Sequence, residues 1–389
     1  MKNICIKTKL LCFVCMAVVF TQCVRTSDGI EPESSYFFDL NRRESITELF
    51  DHIESAETVP LETTDECLIG TIDKILAWED RYYILDGKFR RILCFDTEGR
   101  FLSKLDKVGR GPGEYMYIRD FDIRDERLYV LEIDKIMVYD LSGEFQKSIP
   151  VDYGGGLNAF SVLGDDRYAI ASVSQEDDFL LHIVDGTGKV TKSMLECPKS
   201  LRMTLDVYSN GWSFQRSEGR LYLSLPVLAS VIALDEDENP VPVFSFESDR
   251  NPEKYIKKNV LTEKNFNRFC ETLESKYLLA ERKTVTPVFY AFESDMGGKN
   301  LLLFYDRVKR TGKVFSGEKS IVAFFLFGDN CFPVSDKVLV SDFSPLGGEE
   351  VLSQISRYSK VPFEKDLVEK LKAHASDQNN PVLVRYTLK

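Results

Sequence analysis

The pattern that most limits the possible folds is a turn of the form Asp-x-x-Gly that returns at nearly constant spacing. The turns starting at Asp96, Asp140 and Asp185 are separated by 44 and 45 residues. Between them lie short stretches rich in β-branched and aromatic residues, the composition that favours strands. A period of this length, built from strands and turns alone, indicates an all-β β-propeller whose four-stranded blades stack around one axis.

Each repeat contains four short predicted strands. The first unit has them at 69–76, 81–85, 91–95 and 100–104, and the second at 120–123, 127–131, 136–139 and 144–149. In the turn between the third and fourth strands, we expect Asp96 to bind the backbone that follows and Gly99 to adopt a positive φ. No strand is long enough to bury a face alone, so neighbouring blades must stack.

The later repeats are less regular and predict six blades, with seven as the alternative. Strand patterns mark units at 159–194, 221–246 and 285–315, and a sixth that begins with strands at 321–327 and 338–341. Apolar spacings of three and four predict two helical insertions, at 257–281 and 362–375. We expect Val382–Leu388 and the segment 58–61 to share the sixth blade, because this closes the ring and leaves no open sheet edge.

The motif Gly109-x-Gly-Pro-Gly-Glu-Tyr115, followed by Asp-Phe-Asp-Ile123 and a Val-Tyr-Asp-x-x-Gly143 hairpin, resembles the NHL-type repeat. Ile118-Arg119 stands where that repeat usually has proline. Over residues 35–389 the chain resembles the six-bladed β-propeller lipoproteins of Gram-negative gut anaerobes. This resemblance implies a lipoprotein of the outer membrane that faces the periplasm or the cell surface.

The first 22 residues are predicted to be a signal peptide that is separate from the propeller. Three lysines precede Leu10 to Phe20, an apolar run of eleven residues that is too short to span a bilayer. Cys23 follows directly and resembles the lipidated cysteine of the bacterial lipobox, so we expect residues 23–34 to form a lipid anchor and tether. A signal peptide that is cleaved nearby without lipidation is the alternative.

The net charge limits the possible binding partners, and the cysteine content limits the possible disulfide bonds. The formal net charge of −12 disfavours nucleic acid as a partner, because both are negatively charged. Five cysteines follow Cys23, isolated from one another and mostly flanked by apolar residues: Cys67, Cys94, Cys197, Cys270 and Cys331. We interpret them as small buried side chains with at most one disulfide.

The glycine-rich segment 109–115 is the first candidate binding site. It links the outer strand of one blade to the inner strand of the next, and in propellers such a crossing runs over the face that carries the channel mouth. There Arg110 would offer a cation to a carboxylate, phosphate or sugar, with Glu114 and Tyr115 beside it. The alternative is a structural crossing in which Tyr115 packs between blades.

Asp120 and Asp122 form the second candidate site. Alternation along the strand places both on one face, where they could ligate Ca²⁺ or hydrogen-bond neighbouring loops. Trp78 and Trp212 could stack on sugars or fill blades.

No catalytic motif stands out in the sequence. His52, His182 and His374 lie far apart, and no Gly-x-Ser-x-Gly elbow is present. We therefore expect a binding or scaffold module for a glycan, a peptide or an envelope protein, with the helical insertions as an alternative contact surface. A metal-dependent hydrolase or lyase at the channel mouth is the alternative function, since related propellers use loop carboxylates and metals.

Overall fold

The described chain forms six blades, each with four antiparallel strands. The computed structural model describes residues 32–44, 46–151, 156–174, 176–208, 211–259, 261–262, 264–316, 331–343, 367–374 and 379–389. The sheets follow one another as blades around one axis, and their innermost strands are neighbours. The predicted six-bladed β-propeller is thereby confirmed.

The described chain begins with elements that lie in or beside blades whose other strands come much later in the sequence. These are β1 Ser34–Phe37, a 3-10 helix at Ile46–His52 and β2 Ile53–Pro60. Blade 1 then consists of β3 Lys74–Trp78, β4 Arg81–Asp86, β5 Arg91–Asp96 and β6 Phe101–Leu105, from the axis outward. Blade 2 consists of β7 Asp120–Arg124, β8 Arg127–Leu131, β9 Lys135–Asp140 and β10 Phe145–Pro150.

Blades 3 and 4 are joined by a short helix that the sequence did not reveal. Blade 3 consists of β11 Leu157–Gly164, β12 Arg167–Ser172, β13 Phe179–Asp185 and β14 Val190–Glu196. Helix α1 Lys199–Val207 leads to β15 Ser213–Ser217, β16 Arg220–Ser224, β17 Ser230–Leu234 and β18 Pro240–Glu247. Strand β1 pairs parallel with β18 and adds a fifth strand to blade 4.

The insertion predicted at 257–281 is two helices rather than one. They are α2 Glu253–Lys258 and α3 Phe266–Lys276. Blade 5 follows with β19 Leu279–Val285, β20 Phe289–Asp295, β21 Asn300–Asp306 and β22 Thr311–Ser316. The inner strand therefore begins at Leu279, six residues before the start expected from the sequence.

Blade 6 contains strands from both ends of the described chain. Its order from the axis is β23 Cys331–Ser335, β24 Val338–Phe343, β25 Val382–Leu388 and β2. Thr58 in β2 lies opposite Val384 in β25, in an antiparallel pair. Helix α4 Leu367–His374 falls within the insertion predicted at 362–375, whereas the strand predicted at 321–327 lies outside the described residues.

Local hydrogen bonds explain the repeated turn. The Asp96 carboxylate accepts hydrogen bonds from the backbone N–H groups of Glu98 at 3.0 Å and Arg100 at 2.8 Å. Gly99 has a φ of 85°, and an added Cβ would lie 2.1 Å from the Pro60 carbonyl oxygen. Asp140 and Asp185 form the same turn.

The core consists of layers between adjacent blades. Phe121 on blade 2, for example, is fully buried among side chains of blade 1 such as Tyr83. The five cysteines of the described chain are free, and all but Cys270 are buried. None of the described helices is long and apolar enough to cross a membrane.

Candidate functional site

A cavity of about 600 Å³ lies on the axis, where the inner strands of the blades face one another. Residues of all six inner strands line it, from β3 round to β23. Its size falls within the roughly 300–1,000 Å³ that is usual for small-molecule sites. The ring of inner strands therefore forms a space in which a ligand would contact several blades together.

An ion pair with a buried carboxylate crosses the wall of this cavity from blade 2 to blade 4. Arg216 on β15 approaches Asp122 on β7 with both terminal nitrogens, at 2.9 and 3.0 Å. Asp122 also accepts hydrogen bonds from the Ser161 hydroxyl at 2.9 Å and from the Val162 N–H at 2.8 Å, both on blade 3. One carboxylate therefore holds together the inner strands of three blades.

Asp120 makes a similar connection between blades 1, 2 and 3. The Lys74 ammonium lies 2.6 Å from its carboxylate, and the Phe160 N–H donates to the other oxygen at 3.0 Å. Burial raises the pKa of Asp120 in spite of this ammonium. Burial opposes the charged form of Asp122 as well, but the Arg216 guanidinium outweighs it and lowers the pKa of that carboxyl.

These contacts bear on the calcium hypothesis for Asp120 and Asp122. Calcium requires several carboxylate or carbonyl oxygens that are free to turn toward the ion. Every oxygen of the two carboxylates already accepts a hydrogen bond from the protein. We therefore assign both side chains to inter-blade contacts. Among the described residues, no group of three or more His, Cys, Asp or Glu side chains is placed to hold a metal ion.

Blades 4 and 5 are joined by Gln215 and Lys283. The Gln215 side chain accepts a hydrogen bond from the Val285 N–H at 3.0 Å and donates one to the Lys283 carbonyl. The Lys283 ammonium donates to the carbonyl oxygens of Leu225 at 2.7 Å and Ser230 at 2.8 Å. Within the described chain no carboxylate comes within 4.0 Å of it, and burial lowers the pKa of Lys283 to about 7.

Three residues that line the cavity carry buried donor atoms without hydrogen-bond partners in the described part of the chain. They are Trp78 and Trp212, through their indole nitrogens, and Arg282, through one terminal guanidinium nitrogen. Trp212 is only 8% exposed. The three donor atoms are also closed to solvent, so they do not themselves face the open space of the cavity.

The predicted loop site at 109–115 lies elsewhere. The Tyr115 side chain is fully buried, and its hydroxyl donates to the Leu105 carbonyl at 3.1 Å. Gly113 packs against Phe145, and its carbonyl accepts a hydrogen bond from the Tyr139 hydroxyl at 3.1 Å. These contacts are with outer strands of blades 1 and 2, and none of residues 109–115 lines the central cavity.

Arg110 and Glu114 lie on the same outer loop. Arg110 is exposed, and Glu114 folds back to accept a hydrogen bond from the Gly111 N–H at 2.7 Å. Neither residue lines the central cavity. Arg282, by contrast, lines the cavity but was missed, because its segment was interpreted as the start of a strand only from residue 285.

Comparisons with known proteins place the chain in a family. No curated protein matches it in sequence. An exported protein of Bacteroides fragilis has a similar structure, with a TM-score of 0.70 and 15% identity over 91% of this chain and 99% of that one. A member of the DUF4221 family from Bacteroides vulgatus gives a TM-score of 0.50 and 12% identity over 86% and 98% of the two chains.

Identities this low show a shared fold alone. The sequence itself matches one family model, described as a domain of unknown function (DUF4934), over residues 36–387. That match spans the whole propeller, and the chain therefore belongs to the DUF4934 family.

Proposed function

We propose that this protein is an exported binding module of the bacterial envelope that holds a small ligand in its central cavity. The observation that carries the proposal is the axial cavity itself, whose volume of about 600 Å³ is usual for small-molecule sites and whose wall comes from all six inner strands. Arg282 and the aromatic residues Trp78 and Trp212 lie in this wall. A ligand there would make both polar and apolar contacts.

The size of the cavity selects among the partners that the sequence suggested. A space of about 600 Å³ accommodates a short saccharide or the end of a peptide rather than a folded envelope protein. The alternative of a hydrolase or lyase requires carboxylates that are free to act on a substrate or metal. Asp120 and Asp122 are instead engaged with Lys74 and Arg216, so the arrangement favours binding.

A thermal-shift panel of neutral and acidic saccharides and short peptides tests this function on the purified protein. We expect at least one class to raise the melting temperature in a saturable way, with about 2.7 kcal/mol of added stability at a hundredfold excess over Kd. Trp212→Phe reduces the aromatic surface in the cavity wall and should weaken binding of the same ligand by about tenfold. Arg110→Gln tests the outer loop in parallel. A ligand that responds only to the Arg110 substitution would contradict a site in the cavity.

Anchoring through Cys23 is a separate part of the proposal. Cys23 lies outside the described residues, and its support is the apolar run that precedes it, together with a structural relative described as exported. We expect the native protein to sediment with outer membranes, and Cys23→Ser to release it into the soluble envelope fraction and abolish metabolic labelling with palmitate. Sedimentation of the variant with membranes would rule out this anchor.

A further inference from the structure

More basic than acidic residues line the central cavity, although the chain as a whole is strongly negative. The formal net charge of the protein is −12. Six basic and four acidic residues line the cavity. The basic ones are Lys74, Arg119, Arg124, Arg216, Arg282 and Lys283, and the acidic ones are Asp73, Asp120, Asp122 and Asp125. An excess of cations on the inner wall of an acidic protein indicates a site with its own electrostatic character.

Most of the acidic side chains are neutralised by the protein itself. Lys74 lies 2.6 Å from Asp120, and Arg216 lies 2.9 Å from Asp122. At one end of the cavity, Arg124 lies 3.7 Å from Asp125, which is largely exposed. These three pairs remove three of the four lining carboxylates from the charge available to a ligand.

Three basic residues then remain without a carboxylate partner in the described part of the chain, one of them Lys283, whose pKa is lowered to about 7 by burial. Arg119 is exposed and forms no side-chain hydrogen bond, and Lys283 donates only to carbonyl oxygens. Arg282 is half-buried, with an unpaired terminal nitrogen. Glu293 is its cross-strand neighbour on β20. The remaining acid is Asp73, whose pKa is raised by burial and by nearby Asp86.

We propose that the ligand of the cavity is a small organic anion, and that Arg282 binds its carboxylate, sulfate or phosphate group. The inference rests on the proposed function and adds the chemical class of the ligand. A guanidinium presents several N–H donors in a fork that matches such groups. Away from bulk water, its attraction for an anion is stronger than at the surface. Trp212 contacts the apolar or sugar body of the ligand.

A pair of ligands that differ in charge but hardly in shape tests the inference. Glucuronate and glucose share a ring and differ at one carbon, as do galacturonate and galactose. Isothermal titration of the native protein should show binding of a uronate and at least about tenfold weaker binding of its neutral partner. Inorganic sulfate, inorganic phosphate and an N-acetylated dipeptide with a free carboxylate extend the set to the other sources of an anion.

Substitutions at Arg282 connect that preference to one side chain. Arg282→Gln should lower the affinity for the anion by at least about tenfold, and Arg282→Lys should retain part of that affinity. Arg100→Gln removes an arginine whose side chain is 71% exposed and should leave binding unchanged. Without ligand, Arg282→Gln should melt at or above the native temperature, because it removes an unpaired, partly buried charge. A merely structural role for Arg282 predicts a lower melting temperature instead.

The possible outcomes distinguish a failure of the anion inference from a failure of the proposed function on which it rests. Suppose that the neutral sugar binds as tightly as the uronate, and that Trp212→Phe weakens this binding but Arg282→Gln does not. This result would overturn the anion inference and leave the proposed function intact. Anion binding that Arg282→Gln does not weaken would overturn the role of Arg282. A lack of binding by every anion in the set would overturn the inference, and binding of a neutral ligand would then decide whether the proposed function survives.

Discussion

Asp122→Ala is expected to lower the free energy of unfolding by about 3 kcal/mol. Asp122 is 4% exposed, and its carboxylate connects Arg216 on blade 4 to Ser161 and Val162 on blade 3. Removing one member of a buried ion pair typically costs about 3–5 kcal/mol. The lower end applies here because the side chain of Arg216 is 42% exposed and can still reach water. Denaturant unfolding of the purified variant measures the loss.

Two further variants separate the ion pair from a general loss of packing. Arg216→Met should cost at least as much as Asp122→Ala, and combining the two should cost little more than either alone. Glu98→Ala removes a carboxylate that is 67% exposed beside Arg100, and should change stability by less than about 1 kcal/mol. An Asp122→Ala protein as stable as the Glu98→Ala protein would contradict the structural role of the pair.

Lys283 is expected to contribute stability to the native protein that increases from pH 7 to about pH 9.5. Its pKa of about 7 lies below the unfolded value near 10.4, so this lysine binds more protons in the unfolded chain in this range. Its contribution to the free energy of unfolding then rises by up to about 1.4 kcal/mol per pH unit. Below pH 7 the lysine is protonated in both states, and its contribution no longer changes with pH. Unfolding at several pH values measures the slope.

Lys283→Met should remove most of this pH dependence. At pH 7 the variant gains by losing a buried amine but leaves the carbonyls of Leu225 and Ser230 without their donor, so the change in slope is the informative readout. Lys309→Met removes a lysine whose side chain is 68% exposed and should leave the slope unchanged. Equal slopes in the native and Lys283→Met proteins would contradict the account of this residue.

The blades were predictable because their turns are set by nearby residues. The carboxylates of Asp96, Asp140 and Asp185 each bind the backbone two and four positions later, an interaction encoded within five residues. In blade 4, Asp235 forms the same turn with Glu238 in place of glycine, at a φ of 62°. Its three outer strands were recognised although the Asp-x-x-Gly signal is absent there, whereas the inner strand β15 was missed.

The helices around blade 4 were harder to predict because packing between distant segments stabilises them. Leu205 of α1, Ile256 of α2 and Leu273 of α3 belong to one buried cluster with side chains of blades 3 and 4. Helices this short are marginal without such contacts. The sequence pattern therefore indicated a helical region at 257–281 but not its division, and it missed α1.

The candidate cavity depends on contacts that no local pattern contains. Asp122 and Arg216 are 94 residues apart, and only the order of the blades brings them together. The glycines at 109–113 suggested a ligand loop, whereas buried Tyr115 turns that segment toward the outer strands. Trp78 and Trp212 were candidates from the sequence, but their shared cavity with Arg282 follows from the closed ring.

A crystal structure of the protein soaked with the uronate that binds in titration tests the central claim most directly. The account predicts electron density for the sugar in the axial cavity, with its carboxylate within hydrogen-bonding distance of Arg282 and its ring against Trp212. Density at the outer loop beside Arg110, with an empty axial cavity, would contradict it.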